Sequence, residues 1–131
     1  MPAYEIEIIL HRQLADCMSI PVFITDTRGN LIFYNEAAEE ILGQRFEDTG
    51  EMPAAQWSTQ FKPLDEAGAP LAPEELPLVK TLNDKNPYHK IFDIESLQGL
   101  NQKISVTSYP IMSRTGEMIG AVALFWKLQS S

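Results

Sequence analysis

Residues 21–43 read Pro21-Val-Phe-Ile-Thr-Asp-Thr-Arg-Gly-Asn-Leu-Ile-Phe-Tyr-Asn-Glu-Ala-Ala-Glu-Glu-Ile-Leu-Gly43, and this stretch decides the fold. Pro21 stops whatever precedes it, and Val22 to Thr25 is β-branched and aromatic, the composition of a strand. Asp26 to Asn30 is turn chemistry: an aspartate to open the turn and Gly29 for a positive φ. Leu31 to Tyr34 returns as a second strand, so residues 21–34 form a hairpin. Asn35 is a good helix N-cap, and Glu36 to Leu42 makes a short helix closed by Gly43.

Upstream, Ile6, Ile9, Leu10, Leu14, Cys17 and Met18 recur at helical spacing between Ala3 and Met18, with Glu5, Glu7, Arg12 and Asp16 on the other side. Such a helix is marginal alone and needs a surface to cover. Downstream, residues 44–73 suggest short helical turns pinned by Trp57, Phe61 and Leu64. Pro73-Glu74-Glu75 starts a helix whose first turn is limited by Pro77 and whose end is set by Asn86-Pro87. Three strand-like runs follow, Tyr88–Glu95, Gln102–Tyr109 and Glu117–Trp126, separated by turn residues. Lys103 to Thr107 alternates cleanly, as a half-buried antiparallel strand does. The last run is apolar on both faces and belongs in mid-sheet, with the leading helix over its outer side.

The 131 residues suit one domain, and 44% hydrophobic with 21% charged is ordinary globular composition. One cysteine excludes an intrachain disulfide. The longest apolar stretch, Met118 to Trp126, is half a membrane span, and Glu5 and Glu7 stand where a secretory signal wants bases. A soluble cytoplasmic chain without membrane contact is the expectation. Net charge is −8, and residues 36–75 hold all of the imbalance. An acidic chain is a poor partner for nucleic acid, and its acidic middle reads as a solvated helical face.

Taken together, residues 20–126 resemble a PAS domain. The hairpin, asparagine and first helix of residues 21–43 look like the family's opening. Pro73 to Leu82, Gly99, Ser105 to Pro110 and Gly116 to Phe125 look like its connector helix and three-stranded ending. Trp57-Ser-Thr-Gln-Phe61 and Pro73-Glu-Glu-Leu-Pro-Leu78 resemble a bacterial subgroup. The resemblance implies an α+β fold: a five-stranded antiparallel sheet, short helices over one face and an N-terminal cap helix. The cap helix takes residues 1–19, the PAS domain 20–128 and a tail 129–131.

With strand alternation, the resemblance places a ligand pocket among Phe23, Thr25, Ile41, Leu78, Leu82, Phe92, Ile94, Ile104, Val106, Ser108, Val122 and Leu124. This pocket is either a collapsed core without a ligand or the site of an unidentified small apolar or weakly polar ligand, oriented by Thr25 or Ser108, with Trp57 and Phe61 as lid or core. The resemblance also implies a homodimer through Ile6, Ile9, Leu10 and Leu14 of the helix and Tyr109, Ile119, Ala121, Ala123 and Phe125 of the outer sheet face. The module passes its signal to an output domain or a partner protein. Residues 44–62 lack the reactive cysteine of photosensory flavin-binding relatives, and residues 74–84 lack the axial histidine of haem-binding ones. Neither cofactor is expected.

No hydrolase, phosphate-loop or metalloprotease motif is present. His11 and His89 fall on different elements, Cys17 reads as a small buried hydrophobe, and no metal-ligand cluster or enzyme activity is expected. The competing reading is a small-molecule carrier or a cone-shaped isomerase-like enzyme. That reading requires a carboxylate such as Asp93 or Glu95 deep in the cavity.

Overall fold

The computed structural model describes residues 6–42, 45–53, 63–65, 67–95 and 101–128. Trp57, Phe61, Gly43 and Gly99 lie outside them. The helices are α1 (Ile6–Asp16), α2 (Glu36–Leu42), α3 (Phe46–Thr49) and α4 (Pro77–Asp84), with a 3-10 turn at Pro73–Glu75. The strands are β1 (Val22–Thr25), β2 (Leu31–Tyr34), β3 (Pro63–Leu64), β4 (Tyr88–Glu95), β5 (Asn101–Met112) and β6 (Met118–Lys127). They form one antiparallel sheet in the order β2-β1-β6-β5-β4-β3. The sixth strand is the two-residue β3 at the edge, in a stretch where the sequence suggested helical turns.

Local chemistry sets the boundaries. In the first hairpin, Asp26 Oδ1 accepts from the backbone N–H groups of Arg28 and Asn30, and Gly29 takes φ 86°. The helix expected from Pro73 is split. Pro77 forces Leu76 into extended backbone (φ −73°, ψ 137°), so the 3-10 turn ends and α4 starts afresh at Pro77. Lys85 in the left-handed region closes α4 ahead of Asn86-Pro87.

Two apolar layers sandwich the sheet. The inner layer joins Phe23, Leu31, Tyr34, Ile104, Val106 and Phe125 to Leu76 and Leu78 beneath the short helices. The outer layer joins Val22, Ile24, Ile32, Phe33, Ile111 and Val122 to Ile8 and Ala15 of α1. β6 runs mid-sheet between β1 and β5, as its two apolar faces require.

The faces of β6 are the reverse of the expected ones. Ala121, Ala123 and Phe125 are buried on the inner side, and Val122 with Leu124 lies in the outer layer. Both alternations of Met118–Trp126 are apolar, so periodicity does not choose between them; cross-strand partners do. Ala123 pairs with Phe23 and Phe125 with Val106, and the small alanine lets the Phe23 and Phe125 rings meet edge to face at 4.8 Å. Gly120 is pressed against β1, where a Cβ would run into the Thr25 carbonyl oxygen.

The helix α1 also turns an unexpected side to the sheet. Ile8 and Ala15 are buried, His11 lies beside Tyr109 with ring centroids 5.8 Å apart, and the Arg12 guanidinium covers Phe33 at 4.8 Å. Ile6, Ile9, Leu10 and Leu14 point to solvent, exposed by 59%, 44%, 54% and 58%. Cys17 is exposed rather than buried.

Candidate functional site

The inner face of the sheet and the start of α4 line a partly open cavity of about 30 Å³. Leu76, Pro77 and Leu78 form its roof, and Phe23, Phe92, Val106, Ala123 and Phe125 its floor. At roughly 10–15 Å³ per water it would hold two waters, but apolar walls give water no partners. As it stands, it takes a few apolar atoms.

Of the expected pocket residues, Phe23, Leu78, Phe92 and Val106 line this cavity. Ile94 and Ile104 belong to the same inner layer, with Leu82 packed against it. Ala123 and Phe125, expected at the dimer interface, line the cavity instead, and Ala121 lies in the same layer. Val122 and Leu124 do not reach it, because they face α1. Ile41 falls within α2, with its side chain outside the described residues. Leu76 and Pro77 were missed as lining. The extended backbone before a proline was the available signal, since it swings residue 76 out of the helix and over the sheet.

Three buried hydroxyls sit in this apolar layer, in different states. Ser108 and Thr81, both fully buried, bond to each other at 2.6 Å and tie α4 to β5. Thr25 is equally buried, and its hydroxyl has no hydrogen-bond partner. Asp84 accepts from the Tyr88 hydroxyl, which holds the C-terminal end of α4 to β4 and raises the phenol's pKa. At the other end, the Lys90 ammonium stands 3.8 Å from the Glu75 carboxylate, both partly exposed.

Asn35 is the polar hub between the layers. Its Oδ1 accepts from the backbone N–H groups of Val22 (3.0 Å) and Ala38 (3.1 Å). Its Nδ2 donates to the carbonyls of Ala15 and Ile20, both at 2.9 Å. One buried carboxamide therefore caps α2, satisfies a terminal carbonyl of α1 and holds the start of β1.

On the outer face, Tyr109 is half-buried under α1, and this burial raises its pKa. His89 is exposed and its Nε2 lies 2.6 Å from the hydroxyl of buried Ser105. Asp93 and Glu95 alternate with the inward Phe92 and Ile94, so they fall on the outer side of β4. A carboxylate base in the cavity is therefore absent from β4. No group of three or more metal-ligating side chains occurs among the described residues. No helix among them is long and apolar enough to cross a membrane.

A family model for the PAS domain matches residues 9–77, just over half of the chain, and the chain belongs to that family. Solved structures share the fold. The PAS domain of BvgS from Bordetella pertussis is 15% identical with a TM-score of 0.66, over 95% of this chain and 87% of that one. For the PAS domain of nitrogen regulation protein NR(II) from Vibrio parahaemolyticus the values are 16% and 0.62, over 91% and 98%. For a LOV protein from Rhodobacter sphaeroides they are 12% and 0.72, over 97% and 70%. No curated protein matches by sequence. PAS domains are sensory and signalling modules, and the six-stranded sheet with its short helices is a PAS-like α+β fold.

Proposed function

We propose that this PAS domain is a cytoplasmic sensory and dimerisation module that works by protein contact. Two copies meet along α1, and a ligand or partner protein shifts α1 against the sheet to signal to an output domain, in cis or in trans. The observation that carries this reading is the outward apolar stripe of α1: four large hydrophobic side chains, each at least 44% exposed, on an 11-residue helix. Exposed apolar patches of this kind mark interaction surfaces.

The spacing favours a second copy as the occupant. Ile6, Leu10 and Leu14 form an exposed ridge at four-residue steps along α1, a row that can pack against its own copy across a two-fold axis. Tyr109 and Ile119 remain in the outer layer beside the helix, whereas Ala121, Ala123 and Phe125 are too deeply buried to contribute. A ligand transmits only if it binds the two arrangements of α1 with different affinity. The small apolar cavity supports a modest ligand and gives no support to haem or a flavin.

Sedimentation velocity of wild type and the Leu10→Glu/Leu14→Glu variant tests the dimer. The expected result is a dimer for wild type and a folded monomer for the variant. A monomeric wild type at tens of micromolar contradicts the reading.

A further inference from the structure

We infer that the cavity beneath α4 receives the apolar tail of a small carboxylate whose charged head is held by Lys90; this rests on the pocket reading above. Lys90 pairs with Val106 across β4 and β5, and it stands two residues before Phe92 on the same face of its strand. Val106 and Phe92 both line the cavity. The partner of Lys90, Glu75, directly precedes the roof residue Leu76. Lys90 and Glu75, which touch each other, are thus next neighbours, by register and by chain, of residues in the floor and the roof.

The roof is secured unequally. The Thr81–Ser108 bond and the Asp84–Tyr88 bond clamp the C-terminal half of α4. Its N-terminal end has no side-chain cap and rests on apolar contacts over the void. What joins the two sides there is the long Glu75–Lys90 pair, half in water, a geometry that contributes little. A carboxylate arriving at this pair can displace Glu75 from Lys90, and the positive end of α4 adds to the attraction. Its tail then enters a cavity without polar walls. The small volume selects a short alkyl chain rather than a ring. Lys80, whose ammonium lies 5.8 Å from the centre of the Tyr88 ring, adds a second cation along the same edge of a chain that is acidic overall.

The test titrates butyrate and 1-butanol separately into the full chain at constant ionic strength, following the methyl resonances of Leu76, Leu78 and Val106. The expected result is a saturable shift with butyrate, much weaker with 1-butanol. Lys90→Met, which keeps the aliphatic stem, weakens butyrate binding roughly fivefold to tenfold. Glu75→Gln removes the competing carboxylate and tightens binding, a change of opposite sign that general loosening of the roof does not produce. Equal binding of the two probes, or a butyrate affinity unchanged in Lys90→Met, overturns the anionic assignment and leaves an apolar pocket. No saturable shift with either probe overturns the ligand altogether. Sedimentation reads the dimer separately, so loss of the ligand and loss of the protein-contact reading are distinguishable.

Discussion

Asn35 joins more of the molecule than any apolar contact of its size could. Replacing it with alanine removes the side-chain partner of the Val22 N–H and the Ile20 carbonyl, and leaves the Ala38 N–H and the Ala15 carbonyl with only their backbone bonds to the Asn35 carbonyl and the Met18 N–H. The expected loss is about 3 kcal/mol in urea unfolding. Asn35→Asp keeps the two acceptor contacts but loses both donors, so hydrogen exchange should rise at the end of α1 before it rises in α2. Tyr109 supplies a pH signature at the same scale. Burial raises its pKa above the ordinary 10.0. The phenol is therefore better kept neutral in the folded state, and its contribution is complete below pH 10. That contribution is lost as pH climbs through the folded-state value. Melting temperature should fall more steeply between pH 9 and pH 11 in wild type than in Tyr109→Phe, and parallel curves would refute the assignment.

At the scale of elements, β6 and α4 are fixed by specific contacts that can be removed one at a time. Gly120→Ala forces a Cβ onto the Thr25 carbonyl, and backbone cannot swing aside as a flexible side chain can. A loss of about 2–3 kcal/mol or more is expected. For the α4–β5 tie, Thr81→Val or Ser108→Ala alone leaves a buried hydroxyl without its partner and costs about 1–3 kcal/mol. The double variant should be less destabilised than the sum of the single ones, and additive losses would show that the two hydroxyls do not act as a pair.

These elements also show what was legible in the sequence. The hairpin of residues 21–34, the Asn35 cap and the mid-sheet place of β6 follow from turn chemistry and apolar runs. The parity of β6 does not, because Val122 and Leu124 are as apolar as Ala121, Ala123 and Phe125, and only pairing with Phe23 and Val106 decides. The buried side of α1 was hidden for a related reason. His11 and Arg12 cover Tyr109 and Phe33 with ring and guanidinium faces, which a hydropathy pattern scores as polar. The cavity's floor was partly legible from alternation in β4 and β5, and its roof was not, since it depends on the break that Pro77 makes.

At the scale of the whole molecule, the displaced apolar stripe is the feature on which the proposed dimer rests. A helix that used Ile6, Ile9, Leu10 and Leu14 to cover the sheet would leave the domain self-sufficient. This one covers the sheet with Ile8 and Ala15 and leaves the stripe exposed. An association driven by apolar burial should persist at high salt despite a net charge of −8 on each copy, because salt screens the repulsion. The lone cysteine gives the most direct measurement. Cys17 is exposed just beyond α1, so a spin label there reports only distances between copies. Packed helices lie about 8–10 Å apart, and the account predicts strong intermolecular dipolar coupling at a separation inside roughly 30 Å. Leu10→Glu/Leu14→Glu should abolish it. The absence of coupling in the wild-type background would contradict the claim that α1 joins two copies.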